Sequence, residues 1–247
     1  MNKLLKKMSD KCDFYCLSFK NPERKSAMEH RFQKLGVEAF IHLGVGFDDE
    51  RIAGRDLHDH SKRCWSFTYG HFDLIREFYF TSEKEYGIFC EDDIFIRKDF
   101  IQQLPKIIEN FESMNLDLLL LGYLTPYTID ENYPGTHLKK QASDSSHPFS
   151  YYSFSDSIWG AQMYMLSKAQ AGFLLSKYSP PYADLSINNS SMKPFNSDWT
   201  ITKEGNRALI YPMIALEDGK TQYDDISQYI LHQECHHTNY IKDLFYE

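Results

Sequence analysis

The sequence predicts an α/β protein built on a mixed, mostly parallel sheet flanked by helices, and three stretches predict it. Phe14 to Leu43 reads strand–helix–strand, the unit that lays two parallel strands in one sheet. Leu116 to Leu121 is apolar at every position but Asp117, as suits a strand buried on both faces. Tyr86-Gly87-Ile88-Phe89-Cys90 is a third apolar run, and it ends in Glu91-Asp92-Asp93.

Each element has its own local reason. Phe14 to Phe19 is the first strand. Asn21-Pro22-Glu23 starts a helix, with Asn as N-cap, proline in the first turn and an early acid; Met28, Phe32 and Leu35 follow at helical spacing and Gly36 ends it. Ala39 to Leu43 is the second strand. A polar loop runs from Gly44 to Arg63, and Trp65 to Phe80 carries apolar residues at 65, 69, 72, 75 and 79, a helical stripe. After the Tyr86–Cys90 strand, Asp99 caps a helix through Phe111, with a kink or break expected at Pro105. Tyr123 to Phe154 is long, polar and aromatic with weak periodicity, and a loop of that length inside a compact domain is usually functional. Ala161 to Leu166 is a strand, Ser167 a cap and Lys168 to Lys177 a short helix. A second loop, Tyr178 to Asn196, precedes a short helix at Asp198-Trp199 and a strand at Ala208–Tyr211. The tail is acidic from Gln222 and then rich in histidine. No linker or repeat divides the chain, so one domain over 1–247 is expected, with halves at about 12–122 and 123–247.

The acidic triplet carries the chemistry. Three adjacent carboxylates repel one another, and a fold that collects them where a buried strand surfaces calls for a cation. Mg²⁺ and Mn²⁺ take carboxylate oxygens and commonly share them with substrate phosphates. The carboxyl end of a strand is also where α/β sheets bind ligands. Together these imply a metal-bridged diphosphate such as a nucleotide-sugar, with Asp93 as direct ligand and Glu91 and Asp92 toward the ribose or metal waters.

Bulk properties narrow the partners. A formal charge of −8 argues against nucleic acid as a non-specific partner. Five scattered cysteines, Cys12, Cys16, Cys64, Cys90 and Cys235, form no zinc pattern and suit free thiols in a reducing compartment. There is neither a long apolar stretch nor a signal-type segment, so a cytoplasmic setting is expected. The start, with Lys3, Lys6, Lys7 and Lys11, offers at most a weak membrane-surface tether. Oligomeric state is not legible.

Several motifs, in order, resemble the family 25 glycosyltransferases, the lipopolysaccharide-biosynthesis and collagen-galactosyltransferase type. They are Leu17-Ser18-Phe19-Lys20-Asn21-Pro22-Glu23-Arg24, Gly70-His71 (where the family has Ser-His), Cys90-Glu91-Asp92-Asp93-Ile94, Leu118 to Gly122, Trp159 to Ser167, and Asp198. The resemblance implies a GT-A, Rossmann-like fold and transfer of a hexose, galactose or glucose, from a nucleotide-diphosphate sugar, a UDP-sugar favoured. The acceptor would be a hydroxyl of a glycan, glycolipid or protein, and the anomeric carbon would be inverted.

Inversion needs a base for the acceptor hydroxyl, and a carboxylate is the usual choice. Asp198 is the first candidate and Asp156 the second, although Asn196-Ser197-Asp198 also makes a good capping cluster. Ser18, Asn21, Arg24, His71, Glu91, Asp92, Trp159 and Gly160 are candidates for holding the donor. Trp159 equally suits a core or a sugar face, His71 a buried structural role, and Arg24 a solvated helix face. His236 and His237 are candidates to complete the Mn²⁺ or Mg²⁺ shell with Asp93. His232 and His236, at i and i+4, share a helical face. Two rivals use the same features. One is a metal-dependent phosphohydrolase or nucleotidyltransferase drawing on Asp218, Asp224 and Asp225; the other is a non-catalytic nucleotide-sugar-binding module.

Overall fold

The structure, a computed structural model, describes residues 11–130, 133–139, 147–221, 223 and 225–247. The Lys3, Lys6 and Lys7 tether, the start of the tail at Gln222, Asp224 and parts of the 123–154 segment lie outside the described residues.

β1 (Cys12–Ser18), α1 (Pro22–Leu35) and β2 (Ala39–Leu43) form the expected opening. Asn21 Oδ1 accepts the amides of Glu23 and Arg24 at 3.1 Å each. Gly36 closes α1 in the left-handed region, φ 70°, where a side chain would be strained. α2 (Asp59–Thr81) takes in residues 59–63, which the sequence assigned to the preceding loop. β3 (Tyr86–Glu91) includes the first acid of the triplet. The chain then turns at Asp92-Asp93 into β4 (Ile94–Arg97), a fully buried strand too short to leave a periodic signature.

α3 (Phe100–Ser113) departs from the expected cap at Asp99 and shows no break at Pro105. The helix is unbroken at Pro105, because burial of Leu104, Ile107, Ile108 and Phe111 outweighs the bond that proline deletes. At about 1.5–3 kcal/mol per buried side chain, four such residues exceed the roughly 3 kcal/mol proline penalty. Asp99 does not cap with its side chain. Its carboxylate accepts instead from Arg97 Nε at 2.9 Å and Nη2 at 2.8 Å.

The long segments are also more ordered than expected. β5 (Leu118–Leu124) extends into the first of them, and β6 (His137–Lys139) and β7 (Ser150–Tyr152) add strands of three residues each, below the length at which alternation can be read. Phe149, Tyr151 and Phe154 there are core residues. β8 (Trp159–Ser167) and α4 (Lys168–Lys177) follow, with Ser167 Oγ accepting the Gln170 amide. The second loop holds α5 (Tyr182–Ile187) and leads to α6 (Ser197–Thr200), β9 (Arg207–Tyr211) and β10 (Ala215–Glu217). The tail forms α7 (Ile226–Asn239) and β11 (Phe245–Tyr246).

The main sheet has eight strands in the order β2-β1-β3-β8-β5-β9-β7-β6. β2, β1 and β3 run parallel, β8 opposes its neighbours β3 and β5, and β9 is parallel to β5. β8, from the second half of the chain, thus lies between strands of the first. A smaller antiparallel sheet, β10-β4-β11, carries the chain away from the acidic turn.

Strand residues alternate between two cores. Tyr15, Leu17, Phe89, Leu118, Leu120 and Tyr164 pack with Phe72, Ile75 and Phe78 of α2, and with Ala171 and Leu174 of α4. Phe14, Cys16, Ile88, Leu119, Leu121 and Met163 pack with Met28 and Phe32 of α1 and with Leu104 and Ile108 of α3. Helices therefore cover both faces of the sheet, which is why its strands read as continuous apolar runs. No helix among the described residues is long and apolar enough to cross a membrane.

Candidate active site

The parallel register aligns Leu17 of β1 with Glu91 of β3, and Ser18 with Leu43 of β2. The carboxyl ends of these strands therefore form one edge. β8 runs antiparallel, so its first residues, Trp159 and Gly160, reach the same edge.

Asp92 is fixed from β1. The Ser18 hydroxyl donates to its Oδ2 at 2.7 Å and the Phe19 amide to the same atom at 3.2 Å. Arg24, one turn into α1, points at the triplet and not into solvent. It donates to Asp93 Oδ2 at 3.3 Å, lies 3.7 Å from Asp92 Oδ1 and donates to Thr221 Oγ1 at 2.7 Å. Thr221 in turn donates to Asp93 Oδ2 at 3.2 Å. The other oxygen, Asp93 Oδ1, is buried without a hydrogen-bond partner. Asn21 acts locally, since its amide oxygen is committed to capping α1.

Glu91 is approached from below by His71. His71 is fully buried, with Nε2 3.3 Å from Glu91 Oε1 and Nδ1 3.0 Å from the Tyr164 hydroxyl. Both ring nitrogens are therefore occupied inside the protein. Of the two roles the sequence left open for His71, this is the buried structural one, since a side chain sealed under the sheet edge reaches a ligand only through Glu91. Burial holds its imidazole neutral, with the pKa lowered to about 4.

Glu217, at the end of β10, is a member that sequence reasoning missed. It is 5% exposed, accepts from the Tyr223 hydroxyl at 2.9 Å and makes a close contact with His232 Nδ1. The signal was available, for Met213-Ile214-Ala215-Leu216 is an apolar run ending in acids, the pattern that singled out Glu91.

Asp198, on α6, is brought to the same edge, within electrostatic reach of Glu91 and His71. The α6 cap is Asn196, whose Oδ1 accepts the Asp198 amide at 2.9 Å. The Asp198 carboxylate is thereby freed from capping, and its Oδ1 accepts the Gly160 amide at 2.6 Å. Gly160 has φ of 119°, a conformation that side chains rarely adopt, and a Cβ there would lie 1.9 Å from Gln162 Oε1. Trp159 is 40% exposed and meets Trp199 edge to face, 5.5 Å between centroids, so it is not a core residue. Asp156 stands apart: it accepts from Arg207 at 2.6 Å, and that guanidinium lowers its pKa, a poor setting for a base.

The electrostatics show what this edge lacks. Burial, then Asp198, Glu217 and Asp92, push Glu91 up to about 8, with His232 opposing. Burial, then Glu91 and Glu217, raise Asp93 well above the carboxylate range, and Arg24 offsets only part. Burial also raises Asp92 and Asp198, against the Ser18 hydroxyl in the first case and the Gly160 amide in the second. The cluster is short of positive charge.

A divalent ion is what the triplet and the GT-A resemblance imply, and the fit is partial. Among the described residues no group of three or more His, Cys, Asp or Glu is placed to hold a metal, so His236 and His237 are not gathered with Asp93 into a ready shell. His236 Nδ1 donates to the Glu217 carbonyl at 2.8 Å, and His237, exposed, donates to Gln233 at 2.6 Å. Mg²⁺-type sites need only one or two carboxylates when substrate phosphates supply the rest, and the unpartnered Asp93 Oδ1 meets that requirement.

At the end of β2 lies a cleft of about 320 Å³ lined by His42, Gly44, Asp49, Arg51 and Asp73 among others. Arg51 bridges Asp49 and Asp73 and lies over the Tyr69 ring at 4.8 Å.

No family model matches the chain, and no curated protein sequence matches it, so the family 25 resemblance rests on the motifs alone. Among solved structures, A197 from STIV is similar at 14% identity, covering 87% of this chain and 96% of its own, with a TM-score of 0.42. Mannose-1-phosphate geranyltransferase from Thermus thermophilus is similar at 12% identity, covering 81% and 73%, with a TM-score of 0.41. A glycosyltransferase involved in the glycosylation of the major capsid of PBCV-1 is similar at 10% identity, covering 90% of each chain, with a TM-score of 0.34. Likenesses this loose are too weak to assign a substrate or a mechanism.

Proposed function

We propose that the chain is an inverting glycosyltransferase of GT-A type. It would move a hexose, galactose or glucose, from a nucleotide-diphosphate sugar, a UDP-sugar by preference, to a hydroxyl of a glycan, glycolipid or protein. One observation carries the reading: a carboxylate cluster closes the parallel-strand edge, and Asp198, a further carboxylate at that edge, is held by the Gly160 amide at 2.6 Å.

In this reading Asp93 would hold Mn²⁺ or Mg²⁺, and the ion, when bound, supplies positive charge for the donor diphosphate. Ser18 and the Phe19 amide keep Asp92 in place, and Arg24 limits repulsion within the triplet. Asp198 takes the proton of the acceptor hydroxyl. The acceptor oxygen bonds the anomeric carbon from one face as the bond to the diphosphate oxygen breaks on the other, and the electron pair leaves with the nucleoside diphosphate. The raised pKa of Asp198 suits a proton acceptor.

The rival phosphohydrolase or nucleotidyltransferase needs a second carboxylate group; Glu217, which acts on Glu91 and Asp93, is open to it, while two of the residues first considered make local bonds. Asp225 caps α7, and Asp218 Oδ1 accepts the Lys220 amide at 2.8 Å.

The test is a thermal-shift screen of nucleotide-sugars with and without Mn²⁺, followed by product analysis with an acceptor panel. Metal-dependent stabilisation by one nucleotide-sugar and acceptor-dependent transfer are expected, with Asp93→Ala losing both and Asp198→Asn losing turnover by about 100- to 10,000-fold. Acceptor-independent hydrolysis alone favours the rival. Binding without turnover, indifferent to Asp198→Asn, leaves a non-catalytic module.

A further inference from the structure

Two tryptophans adjoin, in sequence, the pair of residues that holds the proposed base. The bond from the Gly160 amide to Asp198 Oδ1 ties two short segments together, Trp159-Gly160 and Asp198-Trp199. Each contributes a tryptophan next to the tie, and the two rings meet at 87° with centroids 5.5 Å apart. The result is a corner of two perpendicular aromatic walls carried by the same two segments as the Gly160–Asp198 bond. Trp159 keeps 40% of its surface in solvent, whereas the remaining tryptophan, Trp65, keeps 4%. Other aromatics are as exposed, Phe40 at 46% and Phe80 at 72%, and what sets Trp159 apart is its place next to the Gly160–Asp198 bond, edge to face with Trp199.

We propose that this corner is a pyranose-binding subsite, which makes the acceptor a glycan in preference to a polypeptide or a lipid alcohol. The chemistry is complementary on both sides. A pyranose has an apolar face of C–H groups that packs on an indole, and an equatorial rim of hydroxyls that a neighbouring carboxylate accepts. A tryptophan supplies that contact area with few rotamers to freeze. A peptide serine or a lipid alcohol offers a hydroxyl but no such flat face. Binding of the sugar stands on the corner alone, while its role as acceptor rests on the transferase reading.

The test separates the two. Trp65→Phe leaves Trp159 and Trp199 as the only indoles, since the chain has 3 tryptophans. Emission from this variant is titrated with methyl β-D-galactopyranoside, methyl β-D-glucopyranoside and lactose, with glycerol as a polyol lacking a ring. A saturable change with at least one sugar and none with glycerol is expected, lost when Trp159→Ala is added. No saturable response to any sugar up to its solubility limit, an equal response to glycerol, or a response that survives Trp159→Ala overturns the subsite. The titration needs no nucleotide or metal, so failure of the transferase reading leaves it intact. With transfer established, Trp159→Ala raises the KM for a glycan acceptor about tenfold and Trp159→Phe restores most of it, while the donor KM moves less. An equal rise in donor KM, or a peptide acceptor used as well as the glycan, overturns the acceptor assignment.

Discussion

Arg24 Nη1 lies 3.3 Å from Asp93 Oδ2, joining the first helix to the acidic turn across 69 residues of sequence. On sequence alone Arg24 fits a solvated helix face as well as it fits a site. The capped start of α1 decides the matter, because it fixes the helix axis and aims the first turn at the ends of β1 and β3. Removing the guanidinium leaves the triplet without its nearest fixed cation. Arg24→Ala should cost about 1–2 kcal/mol in urea unfolding, less than a fully buried pair because Arg24 is about a third exposed. Added Asp93→Asn should recover part of the loss in a double-mutant cycle, and simple additivity would show the two to be independent.

Gly160 offers a backbone test. Gly160→Ala places a Cβ against Gln162 at φ of 119°, so a loss of about 1–3 kcal/mol is expected. The amide that holds Asp198 is displaced at the same time, so turnover should fall even at temperatures where the variant remains folded. Unchanged thermal stability would show that the strain is relieved elsewhere.

His71 predicts an acid-side stability slope. Its folded pKa, about 4, lies below the ordinary 6.5, so between these values the unfolded chain binds a proton that the folded protein refuses. Stability from this group is complete above about pH 6.5 and declines as pH falls toward about 4. Chemical denaturation across that window should show a shallower decline in His71→Gln than in the parent. Parallel slopes would mean that His71 titrates normally.

Cysteine accessibility is set by the sheet. Cys12, Cys16, Cys90 and Cys235 are buried and only Cys64 is partly open, all without disulfides. An Ellman titration of native protein should count one slow thiol, slow because burial raises the pKa of Cys64, and five after denaturation. Rapid modification of two or more would contradict the burial of Cys12, Cys16 and Cys90 in the sheet or of Cys235 in α7.

Much of the architecture was legible because the strands are buried on both faces and the helix ends are chemically marked. Ala39–Leu43 and Lys168–Lys177 fall where the sequence placed them, and Asn21 and Ser167 cap as expected. Short strands were not legible. β4, β6, β7 and β10 have three or four residues each, and alternation over so few positions does not rise above composition. The unbroken helix at Pro105 was hidden for a different reason, since propensity is local and the burial that overrides it is not.

The sequence by itself determined the α/β class, the strand end at which carboxylates collect, and the residues able to carry the chemistry. Those properties follow from local pattern and charge. Only the tertiary structure decided which of them act together. It turned Arg24 and Ser18 onto the triplet, sealed His71 beneath Glu91, brought in Glu217 and gave the capping role to Asn196 so that Asp198 was free to meet Gly160. Except for the local cap at Asn196, such partnerships join residues far apart in sequence, 74 positions for Ser18 and Asp92, and strand register and helix docking, which no local pattern encodes, set their distances.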